Sequence, residues 1–296
     1  MNYDNLAMHP VNRFQKRSLA RDPIREGFTT RPLRTRKEEP SLDLWVTQFW
    51  KCVHIMSRTY SPAEVPGMRE AYECFFQSLS GILPSSFMRA FLKDFIAMNP
   101  TVRKILLDNK SLSSFFTVHP ETFEMITQNP KMFFEYSLED GDKLFIWSFL
   151  LHAYFHILTK LPVESLNVLK HRFQPEKISK NTWSNPLWNL MHHCAYYSKG
   201  DQRCQLFFKA FMSCLRYALP CSICRKHLME NLESFDIDKY CLNVEGLFTY
   251  TVDLHNMVNK QLGKPIISLE EAKLIYDPQA SYSDNRHLMN VSRFIS

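Results

Sequence analysis

The sequence predicts an all-α protein, with a four- or five-helix bundle at its C-terminal end and a degenerate copy of that bundle in front of it. Three observations carry this expectation. Glycine occurs seven times in 296 residues, against about twenty at average usage, and the tight turns of β-hairpins lean on glycine. From Leu42 onward the apolar residues recur at helical spacing. The second half of the chain also repeats, in order, residue strings present in the first.

The helices follow in chain order. A first spans 42–60 and stops before Pro62; a second, 68–82, runs up to Pro84. The third, 85–98, is bracketed by Pro84 and Pro100. The fourth, 142–159, is the most apolar and ends before Pro162, but it is too short and too rich in histidine for a membrane span. Helices over 184–198 and 202–218 are punctuated by Pro186 and Gly200. Pro220 opens a helix over 221–232, Gly263 closes one over 245–262, and a last one covers 268–276. The stretch between Phe95 and Asp140 reads as an embellishment of the first bundle. Residues 172–186 are polar and contain Pro175, which makes them the best domain boundary. The expected organisation is a basic flexible tail (1–40), a degenerate scaffold bundle (41–172), a linker (173–182), the functional bundle (183–280) and a C-terminal tail (281–296).

Composition removes several function classes. Neither G-x-G-x-x-G nor G-x-x-x-x-G-K-[ST] can be written from these glycines, so no glycine-dependent phosphate loop is present. The N-terminus has no apolar stretch behind a positive region, so no secretory leader is expected. A soluble protein of the cell interior is therefore the expectation. In such a compartment eight cysteines are buried thiols or catalytic ones. The net charge of +6 is densest in the first forty residues, where Arg13, Lys16, Arg17, Arg21, Arg25, Arg31, Arg34, Arg36 and Lys37 face five acids. No aromatic interleaving accompanies them, so neither specific nucleic-acid binding nor membrane insertion is expected.

The internal repeat locates the chemistry. The second half contains Trp188-x-x-x-His192, Leu219-Pro220-Cys221-x-x-Cys224-Arg225 and His255-x-x-x-Asn259, ending at Pro265. The first contains Trp50-x-x-x-His54, Leu83-Pro84-Ser85-x-x-Met88-Arg89 and His152-x-x-x-His156, ending at Pro162. Ser85 and Met88 stand where the cysteines stand, and Ala153 and His156 replace Asn256 and Asn259. Redox chemistry is therefore expected in the second half alone.

Cys221-Ser-Ile-Cys224 sets two sulfurs one helical turn apart, close enough to close a small ring. The preceding Pro220 starts the helix at or just before Cys221, where free N–H groups favour thiolate, and Arg225 and Lys226 add positive charge. A zinc site is the first alternative, with His227, Cys241 or His255 recruited, though their spacing fits no common finger. A pair of inert core thiols is the second. A dithiol by itself leaves exchange, reduction and oxidation open. Trp188 and His192 share one helix face, as do His255 and Asn259 with Asn256 beside them. Together they make a planar stacking surface with amide and imidazole groups able to read an adenine edge, and Lys264 behind Gly263 can meet a phosphate.

These strings resemble the Erv/ALR family of FAD-linked sulfhydryl oxidases. The likeness rests on Trp188 and His192; on Pro220, Cys221, Cys224 and His227; and on His255, Asn256, Val258, Asn259, Leu262, Gly263, Lys264 and Pro265. It covers about residues 183–270. The two-bundle plan is similar to the baculoviral members and their relatives in large DNA viruses. The resemblance implies an FAD held by Trp183, Trp188, His192, Tyr196, His227, His255, Asn256, Asn259 and Lys264, with no metal. It further implies that Cys221 takes electrons from the thiols of protein substrates, and that Cys224 passes them through the flavin to molecular oxygen. A homodimer is also expected, since members of this family pair and the aromatic content is ample.

Three departures from the family pattern stand out. Ser184 follows Trp183 where many relatives have glycine, Val252 and Leu269 occupy the positions of a structural disulfide, and no second C-x-x-C exists to act as a shuttle. The competing reading is a non-catalytic structural or interaction protein built from two degenerate oxidase bundles.

Overall fold

Helices account for all the regular structure in the computed structural model, which describes residue 39 and residues 41–276. After a short 3-10 turn at Leu42–Leu44, the chain forms α1 (Val46–Arg58), α2 (Met68–Ile82) and α3 (Ser86–Ile96). Four short helices follow: α4 (Pro100–Asp108), α5 (Ser113–Val118), α6 (Pro120–Gln128) and α7 (Phe133–Ser137). Then come α8 (Gly141–Leu158), α9 (Leu166–Arg172), α10 (Lys180–Ser198), α11 (Gln202–Ala218) and α12 (Ser222–Ser234). The one-turn α13 (Ile237–Tyr240), α14 (Gly246–Gln261) and α15 (Leu269–Tyr276) complete the described residues.

The long helices lie where hydrophobic periodicity puts them, within a few residues at each end. Helix α8 is apolar all round because it is central, packing on α1, α4, α7 and α9. No helix among the described residues is long and apolar enough to cross a membrane. The stretch 95–140, read as an embellishment, is itself helical. Its ends are capped locally: Asn99 accepts from Val102 N at 2.9 Å, Pro100 and Pro120 occupy first turns, and Asp140 caps α8 through Lys143 N. One boundary expectation needs correcting. Pro186 does not mark a helix start; it lies inside α10, which begins at Lys180. Pro186 lacks the N–H that the Thr182 carbonyl would take, yet its ring is buried and helps seat α10. Residues 173–182 accordingly hold a 3-10 turn at Pro175–Lys177 and the opening of α10. The expected basic tail lies outside the described residues except for Glu39, whose carboxylate accepts from Ser86 N at 2.9 Å. The expected C-terminal tail, 281–296, lies wholly outside them.

Helices α2 and α11 form the most extensive helix–helix interface, and they meet as equivalents. Phe75 and Phe211 each stand eight residues before the leucine of a Leu-Pro string, and their rings contact each other at 5.3 Å. Cys74, one residue earlier, directs its thiol to the carbonyl of its own counterpart, Ala210, at 3.6 Å. Equivalent residues touching each other is the signature of a local two-fold axis. Gly81 lets α11 come close, because a Cβ there would overlap the Phe207 ring. Tyr72 locks the arrangement, its hydroxyl lying 3.0 Å from Met56 O and 3.1 Å from Ala218 O.

This interface should make the two halves unfold together. Phe211→Ala is expected to cost about 3–5 kcal/mol and to lower the urea midpoint of a single transition. Separate unfolding steps for the two halves in the wild type, followed by far-UV circular dichroism, would contradict the shared core.

Candidate functional site

The dithiol sits where the sequence puts it, with one refinement. Cys221 is the N-cap of α12 and not its first helical residue: its backbone is extended, and the Cys224 N–H donates to its Sγ at 3.2 Å. Cys221 and Cys224 are joined as a disulfide, their Cα atoms 5.1 Å apart. Both are half-buried while Ile223 between them is exposed, so the disulfide lies at the surface end of the helix. Arg225 acts structurally: its guanidinium donates to Leu219 O at 2.6 Å, clamping the loop that presents the cysteines. Lys226 is exposed and pairs with Glu230. Helix α12 is tied to α14 by a reciprocal amide pair, Asn231 with Gln261, at 3.3 and 2.9 Å.

The second part of the site is an aromatic and imidazole cluster between α10 and α14. The rings of Trp188 and His255 stack at 4.1 Å and 3°, a contact worth about 0.5–1.5 kcal/mol beyond its buried area. His192 Nε2 lies 3.0 Å from His255 Nδ1, and His192 Nδ1 lies 2.9 Å from Thr251 Oγ1. The Thr251 hydroxyl donates its proton to Phe248 O at 2.8 Å. Thr251 must therefore accept from His192 Nδ1–H, and His192 Nε2 must accept from His255 Nδ1–H. Both tautomers are set by this chain. Burial holds His192 well below the ordinary imidazole range. Burial also lowers His255 to about 3, with Lys264 adding to the effect.

The two asparagines serve the backbone first. Asn256 makes a two-point contact with Ile267, donating to its O at 2.7 Å and accepting from its N at 3.1 Å. Asn259 donates to Pro265 O at 3.0 Å. Gly263 takes φ +65°, so that Gly263 N and Lys264 N can close the end of α14 onto Lys260 O and Asn259 O. Together these bonds fold the 263–267 segment back along α14 and bring Lys264 to the His255 end.

The remaining expected residues are more dispersed. Trp183 is buried but five residues ahead of Trp188, about 140° around the helix, so the two indoles do not share a face. Tyr196 is buried edge-on against Phe248, one turn beyond His192. His227 is exposed on α12. Thr251, Tyr276 and His193 were not anticipated. Tyr276 packs on His192 at 5.2 Å and His193 at 4.8 Å. It stands eleven residues past Pro265, as Phe173 stands eleven past Pro162, so a longer reading of the repeat could have found it. Among the described residues no group of three or more His, Cys, Asp or Glu side chains is placed to hold a metal ion.

The first half reproduces this cluster bond for bond. Trp50 stacks on His152 at 4.2 Å, His54 Nε2 lies 2.9 Å from His152 Nδ1, and His54 Nδ1 lies 3.1 Å from Ser148 Oγ. Ser148 donates to Phe145 O. His156 reaches Pro162 O as Asn259 reaches Pro265 O. Arg89 clamps Leu83 O as Arg225 clamps Leu219 O. Ser85 caps α3 through Met88 N in the way Cys221 caps α12. The dithiol, the Asn256 amide and the Asn231–Gln261 pair have no counterpart, since Ser85 and Met88, Ala153, and Phe95 and Leu158 stand at those positions.

The sequence profile of the Erv1/Alr family matches residues 185–277, the half that carries the dithiol. Three similar proteins have names containing the words "FAD-linked sulfhydryl oxidase". One, from Acanthamoeba polyphaga mimivirus, is 30% identical over 98 residues, which are 32% of this chain and 68% of that protein. Another, from Frog virus 3, is 35% identical over 69 residues, 23% of this chain and less than half (45%) of that protein. The third, from African swine fever virus, is 33% identical over 98 residues, 32% of this chain and 80% of that protein. No solved structure matches the chain.

The buried imidazoles make stability depend on pH. His192, His193 and His255, with His54 and His152, are depressed by burial, His193 to about 4 and His152 to about 3. Unfolded, they titrate near 6.5, so the unfolded chain binds more protons in mild acid. Their contribution is complete above about pH 6.5 and is lost as pH falls toward 4 and 3, at about 1.4 kcal/mol per pH unit for each histidine. Urea unfolding free energy is expected to drop between pH 7 and 5.5; an unchanged value would show that these histidines are already charged in the folded chain.

Proposed function

The chain belongs to the Erv1/Alr family, and on that premise we propose that it is an FAD-linked sulfhydryl oxidase forming disulfides in protein substrates. The observation that carries this reading is the Cys221–Cys224 disulfide at the head of α12, on a helix fastened to the one that presents His255. We assign the chemistry to residues 183–280 and a scaffold role to 41–172, whose Ser85 and Met88 cannot exchange electrons. The two-part plan supports the narrower likeness to the baculoviral members.

The residues present suit a flavin. Trp188 and His255 make a flat wall, and two buried polar atoms on α10, Asn189 Oδ1 and His193 Nδ1, have no hydrogen-bond partner within the protein, as expected of groups that await a polar ligand. Trp188, His192, His255, Asn256, Asn259 and Lys264 would hold the cofactor, the asparagines by shaping the 263–267 segment; Trp183, Tyr196 and His227 follow from the family pattern. Bound FAD supplies an acceptor for the electron pair of the reduced dithiol and a route for that pair to dioxygen, giving hydrogen peroxide.

The protein's own step is thiol–disulfide exchange. A substrate thiolate attacks Cys221 Sγ, the bond to Cys224 breaks, and Cys224 leaves as thiolate. A second substrate thiol then attacks the mixed disulfide, releasing substrate disulfide and leaving both cysteines reduced. The first-turn N–H groups of α12, including the one aimed at Cys221 Sγ, stabilise the negative charge that develops. Cys241 is a poor relay: burial raises its thiol, and exchange needs a resolving thiol to release each mixed disulfide. The α2–α11 pairing occupies, within one chain, a face that a symmetric dimer could use, so dimerisation would employ other surfaces.

Cys221→Ser and Cys224→Ser are each expected to abolish thiol-dependent peroxide production while the Cys221 variant stays yellow with bound FAD. Substantial dithiol turnover by either variant would remove the pair from this role, and a folded but colourless wild type would favour the non-catalytic reading. Cys241→Ser is expected to leave turnover within about threefold, below about 1 kcal/mol in barrier, for dithiothreitol and for a reduced protein substrate alike. Selective loss of the protein substrate would make Cys241 a shuttle.

A further inference from the structure

We infer that the first half of the chain binds a purine mononucleotide, in a cavity of about 740 Å³ between α1, α8, α9 and the start of α10. The volume lies within the span of about 300–1,000 Å³ usual for small-ligand sites. One wall is the Trp50 indole with His152 stacked on it at 4.2 Å and 20°, and Phe155 beside them at 5.3 Å from Trp50. A flat hydrophobic wall of this kind selects a planar ring system. Trp50 is 7% exposed, and its buried Nε1–H has no acceptor in the protein, a deficit that a ligand oxygen or ring nitrogen would remove.

The rim selects an anion. Among the lining residues Lys51, Arg172 and Lys177 face a single carboxylate, Glu164, which holds Arg172 in a two-point pair at 2.7 and 2.9 Å. Lys51 and Lys177 are exposed at the mouth, placed for a phosphate. His54 and His152 add no cationic charge at neutral pH, since burial depresses both; His54 spends its two nitrogens on Ser148 and His152, and His152 Nε2 is left as a neutral acceptor for a base. Asn181 and Asn185 line the α10 side and can read a base edge or a ribose.

The same geometry excludes a flavin. No residue of α3 lines the cavity, and Met88, at the position of Cys224, is fully buried in the core. The space therefore stops short of the place where the second half carries its sulfurs. One planar base with its phosphates fits what is left. This inference does not depend on the flavin reading of the second half.

The test is equilibrium binding of ADP to the full chain saturated with FAD, followed by isothermal titration. One ADP per chain is expected, with adenosine at least tenfold weaker. The double substitution Lys51→Glu with Lys177→Glu is expected to weaken ADP at least tenfold while FAD content and thermal midpoint are unchanged; both side chains are exposed, so the fold tolerates the change. Trp50→Leu is expected to abolish binding, and the lysine pair keeps the test decisive if that variant misfolds. No saturable ADP binding at millimolar concentration, binding indifferent to the lysine pair, or adenosine as tight as ADP would each overturn the assignment. If the chain takes up no FAD, the flavin reading fails by itself. ADP is then titrated against Trp188→Leu, which lacks the second-half wall: retained binding supports the first-half site, and lost binding overturns it.

Discussion

The arrangement depends on one constraint: an imidazole buried among helices must stay neutral, so each of its nitrogens needs a partner of the right kind. His192 meets that demand by donating to Thr251 and accepting from His255, and the Thr251 proton has already gone to Phe248 O. The chain has one direction, which fixes both tautomers and the distance between α10 and α14. Trp188 then has a single place to lie, flat on His255. Charging either ring would bury an unpaired cation, whose desolvation cost no neighbour here offsets.

The first half obeys the same constraint with Ser148 in place of Thr251 and His54 and His152 in place of the histidine pair. Conservation of this network where the cysteines are absent separates two things that one motif can encode. The Trp-x-x-x-His and His strings specify how two helices dock, whatever chemistry follows. The cysteines add the chemistry. A half without the dithiol still supplies the surface on which α11 rests, through Phe75, Tyr72 and the close approach at Gly81.

Much of the fold was legible because helix ends obey local rules. Prolines beside helix ends and a glycine in the left-handed region at 263 each act within a few residues, so spacing alone reveals them. The errors occurred where a local rule was overridden. Pro186 reads as a boundary, but burial of its ring on neighbouring helices outweighs one missing hydrogen bond. The role of Asn256 and Asn259 was also only half legible. Their spacing suggested ligand-facing amides, whereas both spend donors on the backbone of the returning segment. That segment is only six to eleven residues away in sequence, but its course is set by packing.

By itself the sequence determined the all-helical class, the internal repeat, the helix on which each site residue lies and the placement of two sulfurs one turn apart. These follow from periodicities of 3.6 residues and from caps, which operate over short stretches of chain. Tertiary structure alone decided that α2 and α11 pair about a local two-fold, that four imidazoles form two directed chains and that Arg225 serves the loop instead of the thiolate. It alone left a cavity behind Trp50. The helix pairing and the imidazole chains join residues from tens to more than a hundred positions apart, the Arg225 bond follows the course of the loop before α12, and the cavity depends on space left between helices; no periodicity along the chain records which faces meet.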